Sequence, residues 1–246
     1  MTTYIAASSS ENEVSQIIYP TSDGEPVAET YDHLYAILTT LEVLRLYLQG
    51  RRATVLGNQY LFYAQELPKL RVAPDVMVIY DVEPGGRDSY KIWEEKQVPK
   101  VVFEMTSAGT QKEDQETKKD LYENIEIQEY WLFDPKGEWI EEQLVGYKLG
   151  KNGYERITNS CSEVLQLRLE VEGKLIGFYR LDNGEKLLVS DELVEALRTE
   201  TLRRMEAEAL AEQERQRAEQ EHQRAKELEA LLSRYREQFG ELPESN

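Results

Sequence analysis

Long hydrophobic runs are missing from this sequence. Its strongly apolar stretches, such as Val-Met-Val-Ile-Tyr at 76–80, hold only a handful of residues, far short of the roughly 20 that a bilayer-crossing helix needs. No membrane span is therefore expected. Cysteine is nearly absent: Cys161 stands alone, which rules out an intramolecular disulfide framework. With only His33 and His222 beside that one thiol, a zinc site rich in imidazoles or thiolates is not expected, and any metal would be held mainly by carboxylate oxygens, the chemistry of magnesium or manganese. The stretch MTTYIAASSSENEVSQ has neither the basic start nor the apolar core of a secretory signal, and with the lone thiol this predicts a reducing, cytoplasmic setting. Positive charge is scarce as well. The 29 basic against 47 acidic residues give a formal charge of −18, which argues against a basic exterior that coats nucleic acid but leaves room for a local basic cleft.

What is present divides the chain into three parts. Residues 1–28 are polar and mixed, without a sustained period, and read as a loosely ordered lead-in. Residues 29–189 carry the structural signals of one domain. They open with ETYDHLYAILTTLEVLRLYLQ, where Leu34, Ile37, Leu38, Leu41, Leu44 and Leu48 recur at steps of three and four and predict an amphipathic helix that stops at Gly50. Three strand-like runs follow, QYLFYA, VMVIYD and KVVFEMT. Thr110 and Glu113 then suggest a capping box that opens a polar helix through about Asn124, before a fourth strand, EYWLFD. The order is helix, three strands, helix, strand: a mixed α/β class. LVGYKL and YERI flank GKNG as a hairpin, and further strands are expected around 165–169 and 174–179. From Ser190 no glycine or proline occurs for fifty residues, so 190–246 reads as one long charged helix and its tail. Ala211, Ala218, Ala225, Leu232 and Phe239 fall on a seven-residue spacing that suits a coiled-coil seam, although Glu214 and Glu221 take positions where leucine is wanted.

Two strands carry an unexpected charge. VVFEMT reads as buried on both faces, where an ionised Glu104 is costly unless it is paired or coordinates a cation. Asp75 stands at the head of VMVIYD, with Pro74 holding Ala73 extended. If 76–82 and 99–106 pair as a long hairpin, the two carboxylates meet, and a divalent cation removes their repulsion.

Pro74-Asp75 on the second strand, Glu104 in FEMTS on the third, then KKDLY and EYWLFDP resemble, in this order, the PD-(D/E)XK nucleases, and most closely the Uma-type restriction-endonuclease-like proteins of cyanobacteria. The resemblance spans about residues 25–190 and implies a restriction-endonuclease-like core of order αβββαβ with an added β-hairpin region. It also implies magnesium- or manganese-dependent hydrolysis of DNA phosphodiesters, with Asp75, Glu104 and the backbone carbonyl of Met105 on the metal. The simplest pattern would place lysine two residues after the glutamate, but that position is Thr106. In the Uma-type proteins the lysine comes from the following helix, and the K-x-x-x-Y pattern selects Lys118, four residues before Tyr122, over Lys119. The mechanism needs an ammonium at a point in space, whichever element supplies it. Glu42 in the first helix is a weaker auxiliary acid.

Each of these residues also has a plainer reading: a turn for Asp75, an internal salt bridge with Lys118 for Glu104, a solvated helix position for Lys118. His33 reads as a helix boundary residue, Cys161 as an idle thiol, Tyr130, Trp131 and Phe133 as core, and Trp93 as a loop anchor. Two function classes follow. One is a metal-dependent DNA endonuclease, acting as a homodimer if it cuts both strands. The other is a noncatalytic protein on the same fold, which self-associates or binds a partner through its C-terminal helix. Against the first stands the acidity, since residues 1–190 keep 32 acidic against 20 basic side chains. Arg45, Arg51, Arg52, Lys69 and Arg71 are the nearest approach to a basic track.

Overall fold

The computed structural model describes residues 17–22, 24 and 29–240. The chain divides into two units, Met1–Val189 and Ser190–Asn246.

In the first unit the elements run α1 (Tyr31–Tyr47), β1 (Ala53–Leu56), β2 (Tyr60–Phe62), β3 (Arg71–Val72), β4 (Val76–Tyr80), β5 (Ser89–Lys91), α2 (Ile92–Glu95), β6 (Val101–Met105), a π-helical turn (Glu113–Lys118), α3 (Lys119–Asn124), β7 (Glu129–Phe133), β8 (Leu144–Gly150), β9 (Gly153–Ile157), β10 (Cys161–Ser162), β11 (Leu167–Glu172), β12 (Leu175–Arg180) and β13 (Lys186–Leu187). The principal sheet has six strands in the order β1-β4-β6-β7-β8-β9. Only β6 and β7 pair in parallel, because a helical crossover joins them; the other neighbours are antiparallel. Smaller sheets of order β10-β11-β12-β13 and β3-β2-β5 complete the unit.

Central strands that are apolar at every position need cover on both faces. Val76, Val78, Val101, Phe103, Met105, Trp131 and Phe133 pack against α1 and the sheet of β11 and β12. Met77, Ile79, Val102, Tyr130 and Leu132 pack on the other side with Tyr122, Ile127, Leu61 and Tyr90. The side-chain period of two assigns the catalytic candidates to this second face: Glu104 continues Val102, and Asp75 precedes Met77. In the β4–β6 register Val76 faces Phe103, so one step further Asp75 faces Glu104. The pairing is thus the one that 76–82 and 99–106 suggested.

Three expectations need correction. The first strand of the principal sheet is Ala53–Leu56, whereas Tyr60–Phe62 belongs to the small sheet. ATVL is a four-residue run, fully buried, and the turn after it brings the chain close to the site: a Cβ on Gly57 would lie 3.1 Å from the carbonyl oxygen of Asp75. The α1 stripe is also rotated from the leucine count. Leu34 and Leu38 are exposed, while His33, Ala36, Ile37, Thr40, Val43 and Leu44 are buried. Thr110 does not cap its helix; its hydroxyl accepts the N–H of Ser107 at 3.1 Å, and the helix that follows widens into the π turn.

Of the lead-in, Tyr19 packs edge-on against Phe62 and beside Trp93, and its hydroxyl accepts the N–H of Glu66. Most of 1–28 lies outside the described residues. The second unit is one helix, α4 (Ser190–Phe239), rich in charge, on which Leu228, Leu231, Leu232 and Tyr235 are solvent-exposed. Among the described residues no helix is long and apolar enough to cross a membrane.

Candidate active site

The site forms where the N-terminal end of β4 meets the C-terminal end of β6. Asp75 Oδ2 accepts the N–H of Met105 at 2.7 Å, which ties the two strand ends together. Glu104 is fully buried, and both of its oxygens are engaged: Oε2 accepts from Lys118 Nζ at 2.8 Å and Oε1 from the Tyr122 hydroxyl at 2.5 Å. Lys118 Nζ also lies 2.9 Å from Asp114 Oδ1. That contact is an ion pair without hydrogen-bond geometry, and both carboxylate oxygens of Asp114 are buried without a hydrogen-bond donor.

The helix explains why lysine can come from here. Asp114, Lys118 and Tyr122 recur at steps of four, so they share a face, and that face looks onto the side of the sheet that carries Glu104. Asp114 sits in the π turn, a rare widening frequent at functional sites. The Tyr130 hydroxyl donates to the Asp114 carbonyl at 2.8 Å and fastens the turn to β7. Lys119 points elsewhere, its ammonium 4.1 Å from the centre of the Tyr147 ring.

A second helix contributes from the other side. His33, at the start of α1, places Nε2 2.5 Å from the Met105 carbonyl and 3.8 Å from Asp75 Oδ2, with Nδ1 against the Glu29 carboxylate. The carbonyl of the expected metal set is therefore braced by an imidazole that also lies beside the Asp75 carboxylate.

The electrostatics are those of too little positive charge. Burial pushes the Asp75 carboxyl up to about 6, against the opposing pull of Lys118 and the Met105 N–H. Burial likewise pushes Glu104 up to about 8, with Lys118 opposing and Asp75 and Asp114 adding to the rise. For Lys118 burial works downward, but Glu104 and Asp114 outweigh it and hold the ammonium above its ordinary range. Burial and the Glu104 carboxylate raise the Tyr122 phenol well above normal. Among the described residues, three carboxylates share one ammonium.

Asp75, Glu104, the Met105 carbonyl and Lys118 thus come together. Glu42 does not: it is exposed on α1, and the acid near the site on this side is Glu29, just ahead of α1, through His33. Asp114, Tyr122 and His33 were not foreseen as site residues. The spacing D-x-x-x-K-x-x-x-Y carried a signal for the first two; His33 carried none beyond its place at the start of a helix. Arg45 and Arg51 line a 430 Å³ cavity with Arg87 along the β1 edge, Arg52 pairs with Glu83 in solvent, and Arg71 stacks on Tyr60. Tyr130, Trp131 and Phe133 are core, and Cys161 is a half-buried free thiol.

A solved structure similar to this chain, a crystal structure of "a putative nuclease belonging to DUF820" from Anabaena variabilis ATCC 29413, shares 14% identity at a TM-score of 0.42, over 68% of this chain and 86% of that one. No curated protein matches. The model of the Uma2 family, described as "Putative restriction endonuclease", matches residues 6–176. That span holds Asp75, Glu104, Lys118 and every residue that touches them, and the chain belongs to the Uma2 family.

Proposed function

We propose that this protein is a divalent-metal-dependent DNA endonuclease that hydrolyses phosphodiester bonds at Asp75, Glu104 and Lys118, with magnesium or manganese as cofactor. The observation that carries this reading is the meeting of two carboxylates on adjacent strands with a lysine 2.8 Å from one of them, in a chain whose family is described as "Putative restriction endonuclease".

The residues present fit such a cation. The donors are hard oxygens, and Asp75, Glu104 and Asp114 bear three negative charges against the one of Lys118 when all are ionised, an excess that a dication balances. Among the described residues no three metal-binding side chains form a ready-made cage, and magnesium ordinarily takes only one or two carboxylates and keeps several waters. Asp75, Glu104 and the Met105 carbonyl would hold it. When bound, the cation supplies charge neutralisation at a phosphodiester and acidity to a water molecule.

The chain's own groups do the rest. Lys118 stays protonated and offers an ammonium to charge that builds on the phosphate oxygens. Tyr122 fixes the orientation of the Glu104 carboxylate, and His33 does the same for the Met105 carbonyl, so the donors are placed before substrate arrives.

A second reading, a noncatalytic protein that self-associates through α4, is favoured by two observations. Both Glu104 oxygens already have partners, and α4 exposes Leu228, Leu232 and Tyr235 at helical spacing. The test treats plasmid and single-stranded DNA with magnesium or manganese, comparing the intact protein with Glu104→Ala purified identically. Metal-dependent cleavage that is lost in the variant is expected. Absence of cleavage in both, with no heat of metal binding by calorimetry, overturns the nuclease reading; sedimentation of the same samples then tests self-association.

A further inference from the structure

We infer that the cleft beside this cluster is a nucleobase subsite, in which Trp139 stacks an unpaired base next to the phosphate being cut. The inference rests on the nuclease reading and adds a substrate preference to it: single-stranded or locally unstacked nucleic acid.

The cleft has a volume of 330 Å³, and Thr30, His33, Thr106, Ser107, Gly109 and Trp139 contribute to its walls. It adjoins the catalytic candidates through His33, which lines the cleft and contacts the Met105 carbonyl, and through Thr106, two residues beyond Glu104. Its size falls near the lower end of the about 300–1,000 Å³ typical of small-molecule clefts, room for one nucleoside but not for a stacked pair. Duplex DNA can fill it only by giving up a base from the stack.

Two features point to a base. Trp139 stands 37% exposed on a turn with little freedom: the Asp134 carboxylate, itself buried, accepts the N–H groups of Lys136, Gly137, Trp139 and Ile140. A large, part-exposed apolar ring carried on a backbone that four hydrogen bonds fix is a preformed stacking platform. Thr106, also in the wall, is 2% exposed and its hydroxyl has no hydrogen-bond partner. Buried polar atoms of this kind call for a partner, and a base edge or sugar hydroxyl offers one once the side chain turns toward the cleft.

Charge narrows the occupant further. Glu29, Asp134 and Glu138 line the cleft with Lys136 and His33, a preponderance of acid that disfavours phosphate but accepts a neutral base whose amino groups donate. The phosphates would therefore run past the metal and Lys118, while the base turns into the cleft.

The test uses the full chain with calcium in place of magnesium, titrated with a 12-nucleotide single-stranded oligonucleotide and with the same sequence as a duplex, read by intrinsic tryptophan fluorescence and by anisotropy of an end label. The single strand is expected to bind more tightly and to quench fluorescence. Trp139→Phe should abolish most of the quench and keep affinity within a few-fold, and Trp139→Ala should weaken single-strand binding about ten-fold or more. Thr106→Val, which preserves shape, should also weaken it without lowering the melting temperature, as no protein partner is lost. Equal affinity of Trp139→Ala and the intact chain, or a quench that persists in Trp139→Phe, overturns the subsite. If metal-dependent cleavage occurs but its strand preference is unchanged in Trp139→Ala, the subsite fails and the nuclease reading stands; Trp139-dependent binding with no cleavage under any metal does the reverse.

Discussion

The Tyr122 hydroxyl donates to Glu104 Oε1 at 2.5 Å, both groups being fully buried. No solvent can replace that donor, so removing it leaves a carboxylate oxygen unsatisfied in the interior. Tyr122→Phe is expected to cost about 1–3 kcal/mol of stability and to reduce cleavage about ten-fold as Glu104 loses its fixed orientation. Urea denaturation and the plasmid assay on one preparation check both; unchanged stability would show that the bond contributes nothing.

Lys118 is a sharper case, because it is the ammonium that answers both Glu104 and Asp114. Lys118→Met strands two buried carboxylates, and breaking such a pair from one side costs about 3–5 kcal/mol. Cleavage by the folded fraction should fall about 10²–10³-fold, the scale of a lost transition-state charge donor. Lys119→Met, which removes only a cation over the Tyr147 ring, should leave cleavage within two-fold. Equal losses in the two variants would refute the assignment.

A buried acid elsewhere provides the contrast. Glu129 in β7 accepts from Trp131 Nε1 at 3.2 Å, Ser162 Oγ at 2.5 Å and the Val164 N–H at 3.0 Å, and so pins the start of the second sheet to the first. Its oxygens are satisfied within the fold, which marks it as structural. Glu129→Ala should destabilise by about 3 kcal/mol, from several orphaned donors, while kcat/KM per folded molecule stays unchanged. A selective loss of kcat/KM would give Glu129 a role in the site.

The carboxylate pair was legible in the sequence because each strand announced its own anomaly: a glutamate inside VVFEM and an aspartate after proline at the head of VMVIY. Pairing these strands needed no more than period two and the antiparallel register. The helix face was harder. Counting leucines placed Leu34 and Leu38 inside, yet the buried stripe runs through His33 and Thr40, since the site takes a polar residue at the helix start and the sheet below accepts small ones. Asp114 lies among Glu113, Glu116 and Asp120, and composition does not say which acid turns inward; only its step of four from Lys118 marks it out, a spacing shared with the Lys118–Tyr122 pair. Strand β1 was missed because four residues beside the longer QYLFYA run show too little alternation to be weighed against it.

The raised carboxyls make a prediction in pH. Asp75 rises from 3.8 to about 6 and Glu104 from 4.5 to about 8, so between about pH 4 and 8 the folded chain holds protons that the unfolded chain releases. A raised carboxyl contributes stability that is complete below its unfolded value and is lost as pH climbs through the folded one. Lys118, whose shift is also upward, keeps its contribution throughout this window. Without metal, stability should therefore decline from about pH 5 to pH 8, by on the order of 1 kcal/mol per pH unit where a group titrates. Glu104→Gln should flatten the upper part of that decline. A bound divalent cation competes with the same protons, so the rise in melting temperature on adding magnesium should be larger at pH 8 than at pH 5. Melting curves in EDTA and in magnesium across this range decide the matter: a metal effect independent of pH would mean that the cation does not sit on Asp75 and Glu104.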